Sequence, residues 1–321
     1  MKATSRNILL DIFKIIVALF VIALHCRFLL DLNPIIYQIF GNGIFKIAIP
    51  LFFCVNGFFL FNVFKRNHIK IWVKRVGVLY VIWMLIYSYL RVYLNDFNLL
   101  KMIAIFLFGF NHLWYLAALF LGGILLYPFR NASNNVLIIS AICLYSIGII
   151  IQYLGVLHEL ARFPLLDKLM SYPPLHRNFL FYAWPFLSIG YVIRRSNFHT
   201  KFKKATVIIL INISFLALVI DCLVNFYYLS HEVILNMNLS FLLFGPVLLI
   251  TAFSFQVRSK LNSKLLSSYS IAIYLVHPLI IFLIFNVVTL SQTALTVATI
   301  ILSVIASYFL IWLNSKLKYI L

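Results

Sequence analysis

A chain of 321 residues that is 64% hydrophobic and only 10% charged cannot solvate the surface of a soluble domain of its length, and no run is long and polar enough to form a separate one. The apolar runs are long and continuous, not alternating, which excludes a β-barrel and predicts an all-α, polytopic integral membrane helical bundle of about ten transmembrane helices. A formal net charge of +19 raises nucleic acid as a partner, but the placement of the bases along the chain excludes it.

The first apolar run, 8–30, follows Lys2 and Arg6 as a secretion signal would. Its length, its internal Asp11 and Lys14, and the lack of a small-residue cleavage site make it a retained first span. Further spans are expected over 44–64, 76–94, 110–129, 136–154, 179–193, 205–227, 236–254, 268–288 and 294–313. The sixth is short for a crossing. The apolar stretch 98–109 is interrupted by Lys101 and reads as an interfacial or re-entrant piece. No Gly-rich linker, low-complexity tract or internal repeat divides the chain, so 1–321 is expected to be a single membrane-embedded domain. Cys26, Cys54, Cys143 and Cys222 all fall inside apolar runs without CxxC spacing and read as structural thiols.

The connections alternate in charge. One set holds Lys2 and Arg6; Lys65, Arg66, Lys70, Lys74 and Arg75; Arg130; Arg194, Arg195, Lys201, Lys203 and Lys204; Arg258, Lys260 and Lys264; and Lys316 and Lys318. The other holds few bases and most of the acids: Asp31, Asp96, Glu159, Asp167 and Glu232. Basic loops stay in the cytoplasm, so both termini are expected there. The basic excess then reports orientation and attraction to anionic headgroups. Within it, the 65–75 loop is dense enough to hold an anionic cytosolic ligand through Lys70, Lys74 and Arg75. On the opposite side, the longest loop, 155–178, contains prolines that oppose a long helix. It carries His158, Glu159, Arg162, Asp167, His176 and Arg177, a natural place for a polar ligand.

The chemistry concentrates in the first span. Asp11, Lys14 and His25 are ionisable in an otherwise apolar stretch, where each costs about 3 kcal/mol or more, so they mark a functional site by default. Eleven residues separate Lys14 from His25; on a helix that is a net turn of about 20° and a rise of about 16 Å. The two share one face, with Asp11 a turn before Lys14. A neutral imidazole can take a proton from a hydroxyl, which makes His25 a candidate general base. Asp11 and Lys14 fit either a structural ion pair or, through Lys14, a grip on a phosphate or thioester carbonyl. His112 stands in NHLWYL at the outer start of the fourth span, and on the residues alone the aromatic pair Trp114 and Tyr115 reads as interfacial anchors. His277, followed by Pro278, fits either a site or a cap for the backbone groups the proline frees. There is no HExxH, clustered Cys/His, GxSxG, P-loop or GxGxxG pattern, so no metal site is expected and nucleotide hydrolysis and hydride transfer lack support. Carboxylates are too scattered for a glycosidase pair.

Four runs carry a family resemblance over nearly the whole chain. RNILLDIFKIIVALFVIALH is similar to the first span of the membrane acyltransferase-3 family, with a basic residue, ten residues, then histidine at Lys14 and His25. GIFKIAIPLFFCVNGFFLF resembles its second-span motif, with Asn56-Gly57 where Ser-Gly is usual. NHLWYL resembles its HLWFL-like motif, and YSIAIYLVHPL its late tyrosine-leucine-histidine motif. In KRVGVLYV, Lys74 and Arg75 match the family's basic pair, while Val78 and Val81 replace a later arginine and a proline.

The resemblance implies an acyltransferase of the surface-polysaccharide O-acetyltransferase type. It would move an acetyl group from cytoplasmic acetyl-CoA, a donor substrate and not a bound cofactor, to a sugar hydroxyl of a bacterial surface glycan such as lipopolysaccharide O-antigen. The expected partners are acyl-CoA, a lipid-linked or polymeric glycan and the bilayer of the inner membrane. Two other readings stay open: a transporter or flippase for a glycan or small polar solute, and a membrane domain like that of membrane-bound serine/alanine racemases, whose first spans look similar.

Overall fold

The structure, a computed structural model, describes residues 7–93, 99–229, 235–255, 257 and 259–321. Lys2, Arg6, Asp96, Glu232 and Arg258 lie outside the described residues. The described chain is all-helical with no strand. In order the helices are α1 Ile8–His25, α2 Pro34–Lys65, α3 Ile69–Tyr93, α4 Leu99–Phe108, α5 Asn111–Leu126, α6 Asn134–Val156, α7 Pro164–Met170, α8 Trp184–Arg195, α9 Lys204–Tyr228, α10 Phe241–Ser254, α11 Ser263–Phe285 and α12 Gln292–Lys316.

Local sequence sets the ends. Asn7 caps α1 by accepting from the Leu10 amide, and Asn33 caps α2 ahead of Pro34, whose missing N–H is not needed at the first helical position. Ser133, Asn262 and Ser291 cap α6, α11 and α12 in the same way. Several spans begin or end away from the expected boundaries: the 76–94 span starts at Ile69, which takes Lys70, Lys74 and Arg75 out of a loop and onto a helix, and the 236–254 span starts at Phe241. The 8–30 run stops at His25, because Arg27 and Leu29 adopt positive φ in the turns that follow. The 44–64 span starts at Pro34, because a π-helical turn over Phe40–Ile44 joins the first α-helical stretch to the rest of the helix.

Six helices, α1, α2, α6, α9, α11 and α12, are long and apolar enough to cross a membrane. The other runs expected as spans also carry helices: α3 is 25 residues long but bears Lys70, Lys74 and Arg75, while α5, α8 and α10 are shorter. The structure thus supports a multi-pass membrane bundle with six candidate crossings among the described residues.

The bundle turns apolar surface outward, as lipid allows. On α9, Ile209, Ile213, Leu216 and Ile220 form an exposed stripe at helical spacing. On α12, Ile301, Ile305, Tyr308 and Trp312 form another, while Thr296, Thr299, Ser303 and Ser307 line the buried face. Small inward residues let helices approach closely where hydrophobic burial supplies no drive. The same device joins α2 to α8. A Cβ on Gly57 would lie 2.0 Å from the Leu187 carbonyl oxygen, and one on Gly190 would lie 2.0 Å from that of Cys54. Cys26, Cys54 and Cys222 are buried free thiols, and Cys143 is free and exposed.

Gly57→Ala is therefore expected to force backbone apart at the α2–α8 crossing, a steric cost of about 1–3 kcal/mol. Purified variant protein should show a lower thermal midpoint than the parent. Gly77→Ala, where a Cβ meets only the Phe120 ring edge at 3.2 Å, should shift it far less.

Candidate active site

The polar face of α1 packs against α11. Near its start, Lys14 Nζ donates to Asp11 Oδ1 at 2.9 Å, and the Ser263 hydroxyl donates to the other Asp11 oxygen. One turn along, the Ser270 hydroxyl donates to the Lys14 carbonyl at 3.0 Å. Asp11 is buried, so its charge is held by this pairing and not by water. The Lys14 ammonium is only half-buried and sits 5.6 Å from the centroid of the Phe59 ring.

Lys14 borders a cavity of about 310 Å³. Arg75, Asn56, Trp72, Ser267 and Tyr274 also line it. Of the three bases expected to grip an anion, only Arg75 reaches this cavity; Lys70 and Lys74 are exposed and do not line it. This Lys14 chamber therefore offers two cations, one already paired with Asp11.

Further along α1, His25 borders a second, smaller cavity of about 70 Å³ with Lys46, Asn111, His112, Arg177 and Asn236. Phe52, Tyr115 and Tyr274 line both cavities. Their rings pack mutually, with centroids 5.7–6.4 Å apart, and form a wall between the chambers. Asn56 fixes one panel by donating to the Tyr115 hydroxyl at 2.9 Å, and Tyr274 fixes another by donating to the His112 carbonyl. Residues from three separate motifs thus build one partition.

Three imidazoles pack behind it. His277 lies 5.2 Å from His25 and 5.1 Å from His112, centroid to centroid. Pro278 cannot donate to the Tyr274 carbonyl four residues earlier. His277 Nδ1 takes that place at 2.8 Å, which is one of the two readings the sequence left open. With Nδ1 donating, Nε2 is the basic nitrogen, and among the described residues it has no hydrogen-bond partner. Both ring nitrogens of the buried His112 also lack one. His25 lies deep in the bundle, yet its surface is open to the cavity. Trp114 serves neither chamber as a belt anchor: it is buried, borders the His25 chamber and stacks beneath the Arg177 guanidinium at 4.9 Å.

The 155–178 loop divides. His158, Glu159 and Arg162 stay exposed, with His158 Nδ1 2.8 Å from an Asp167 oxygen. The prolines yield only the short α7 and a single turn over Pro173–Leu175. Asn178 then caps the next helical turn by accepting from the Leu180 and Phe181 amides, which draws the end of the loop inward. His176 is buried and Arg177 half-buried as a result. Burial first, then the Arg177 charge, pushes the His176 pKa down to about 4.

Sequence reasoning missed Lys46, Phe52 and Tyr274. Lys46 had a legible signal, since Gln38, Asn42 and Lys46 recur every four residues in an apolar run, the spacing of one helix face. In the structure Asn42 donates to Gln38 at 2.7 Å and Lys46 to Asn42 at 2.6 Å. The π turn lies inside this stretch, where such turns often accompany functional sites. Phe52 and Tyr274 lie within the second-span and tyrosine-leucine-histidine runs quoted above, but neither was singled out there, and composition alone marks neither among 32 phenylalanines and 18 tyrosines.

The defining sequence pattern of the acyltransferase domain matches residues 7–313. The chain belongs to the acyltransferase-3 family. This acyltransferase-3 chain is also similar to curated proteins under another name. It is 25% identical over 308 residues to an amino-acid racemase of Enterococcus faecalis, covering 89% of this chain and 42% of that protein. It is 26% identical over 290 residues to a serine/alanine racemase of Enterococcus gallinarum, covering 85% and 40% respectively. The chain thus spans about two fifths of the length of these relatives. No solved structure matches it.

The depressed His176 pKa has a consequence for stability. The unfolded chain would bind this proton near pH 6.5 and the folded one only near pH 4. The stability conferred by keeping the ring neutral is complete above pH 6.5 and is lost as pH falls towards 4. Thermal unfolding across that window should show a smaller acid-induced drop in His176→Gln than in the parent.

Proposed function

We propose that this acyltransferase-3 protein is an O-acyltransferase that moves an acetyl group from acetyl-CoA to a sugar hydroxyl of a bacterial surface polysaccharide such as lipopolysaccharide O-antigen. The observation that carries the reading is the pair of chambers set along one face of α1 and divided by Phe52, Tyr115 and Tyr274. In this reading about ten helices cross the inner membrane, both termini are cytoplasmic, and the Lys14 chamber opens to the cytoplasm. Arg75 meets the CoA phosphates, and Lys14 steadies the thioester arm as it reaches the wall. The acceptor enters the His25 chamber from the opposite side.

The step follows from that placement. The acceptor oxygen attacks the thioester carbonyl carbon while His25 takes the hydroxyl proton. A carbon–oxygen bond forms, the carbon–sulfur bond breaks, and CoA leaves as a thiolate. The proton held by His25 then returns to that sulfur, directly or through water, so the imidazole is neutral for the next turnover. The neighbouring His277, held by its bond to the Tyr274 carbonyl, packs against the His25 ring and limits its orientation.

A second reading, supported by the racemase names of the relatives, has the two chambers pass a small polar solute such as an amino acid through the membrane. The two are separated by the mass of surface glycan from cells with and without the gene. A gain of an acetyl mass supports the transferase, and an unchanged glycan mass with gene-dependent movement of a labelled amino acid across the membrane supports transport.

For the transferase, a positioned base contributes about 10²- to 10⁴-fold in rate. His25→Ala should leave no detectable glycan acetylation at protein levels matched by immunoblot, while Cys26→Ala, whose thiol faces Thr299, should be mild. Near-normal acetylation by His25→Ala would remove His25 from the mechanism. In a binding assay Arg75→Ala should weaken acetyl-CoA, more so with added salt, and Lys318→Ala should not. Equal effects would mean general electrostatics in place of a donor site.

A further inference from the structure

The His25 chamber contains more positive charge than a neutral sugar hydroxyl needs. Lys46 and Arg177 both border it, and among the described residues no carboxylate does. Lys46 is buried, and its hydrogen-bond acceptors are the Asn42 amide oxygen and the Leu235 carbonyl, both uncharged. An ammonium has three donors, and the two acceptors found among the described residues are both neutral and do not balance its charge. The Arg177 guanidinium forms no ion pair among the described residues, and its Nε is buried without a hydrogen-bond partner. It rests on the Trp114 ring, which orients it without neutralising it. Arg177 also lies near enough to interact electrostatically with both His25 and Lys46.

Cations removed from water without a counter-ion are costly. A fold that assembles two of them from distant parts of the chain, one on α2 and one at the end of the 155–178 loop, around a cavity with no acid among its described lining residues is suited to receive an anion. The fork of a guanidinium suits a carboxylate or phosphate, which it binds through two parallel bonds. Asn111 and Asn236 border the same space and add neutral polar groups. The cavity of about 70 Å³ limits what can enter: at about 10–15 Å³ per water it admits a group of roughly five to seven heavy atoms. That is the size of an anionic group with an adjoining carbon and hydroxyl.

We infer that the acceptor is a hydroxyl compound carrying an anionic group, seated between Arg177 and Lys46 so that its hydroxyl faces His25. This rests on the acyl-transfer reading for the fate of the hydroxyl, but the anion site stands on its own geometry. Arg177 and Lys46 are then specificity-determining residues: they select acceptors with the charge near the reacting oxygen, and they draw the hydroxyl to the base.

Three probes share one three-carbon frame: glycerate with a carboxylate, glycerol 3-phosphate with a phosphate, and glycerol with neither. Thermal shifts of the purified full chain in detergent, at constant ionic strength, should show stabilisation by glycerate or glycerol 3-phosphate and none by glycerol. The better of the two anions identifies the source of the charge. Arg177→Gln and Lys46→Gln should each weaken the preferred anion by at least about tenfold, since a buried charge partner is lost, and Arg177→Lys should keep part of the affinity. Coenzyme A binding should be unchanged in Arg177→Gln. Cys26→Ala, whose thiol faces Thr299 and does not line the chamber, should bind the anion as the parent does, and anion binding lost in Arg177→Gln with no gene-dependent glycan acetylation in the parent would keep this site while removing the acyl-transfer reading. Equal shifts from glycerol and the anions, or parental anion affinity in both Arg177→Gln and Arg177→Lys, would overturn the inference. So would a loss of coenzyme A affinity in Arg177→Gln as large as the loss of anion affinity, which would give Arg177 to the donor.

Discussion

An ionisable side chain inside a membrane bundle must find a partner, a cavity or an exit to the interface, because hydrocarbon offers none of these. Helix α1 carries three such groups on one face, and the arrangement around them follows from that constraint. Asp11 and Lys14 satisfy each other and tie α1 to Ser263 at the start of α11. His25 has no such pairing and opens into a cavity. The α1 face therefore has to be covered along its length by α11, and the covering leaves one chamber at each end of the stripe.

The wall between the chambers shows how dispersed motifs become one object. Asn56 on α2, Tyr115 on α5 and Tyr274 on α11 belong to different runs of sequence. A hydrogen bond from Asn56 positions Tyr115, the Tyr115 ring packs on Tyr274, and Tyr274 reaches back to the His112 backbone. A change at any of these residues alters a partition and not a single contact. This accounts for Trp114 and Tyr115 being buried beside polar cavities, where an interfacial belt would have left them exposed.

Much of the fold was legible from residues alone because lipid imposes a simple rule on composition. Long apolar runs became helices, and the charged face of α1 turned inward. The ends were less legible: positive φ at Arg27 and Leu29 ended α1 early, and the π turn carried α2 ten residues further than its hydropathy suggested. At the site, one-helix geometry aligned Lys14 and His25, and the proline after His277 offered its backbone bond as one of two readings. What no local pattern contains is which loop residues return to the bundle. His158, Glu159 and Arg162 have the same character as His176 and Arg177, yet only the last two lie beside Asn178, whose cap draws the chain inward. Lys46 was overlooked although it obeys the same rule that singled out Lys14.

The central claim is that a thioester entering past Arg75 and Lys14 meets its acceptor at the aromatic wall. A structure of the full chain with a non-transferable thioether analogue of acetyl-CoA tests it most directly. The account predicts the nucleotide in contact with Arg75, the arm along Lys14, and the carbonyl carbon at Phe52, Tyr115 and Tyr274 on the side facing His25. An analogue bound with its nucleotide in the His25 chamber, or with its carbonyl remote from the wall, would contradict it.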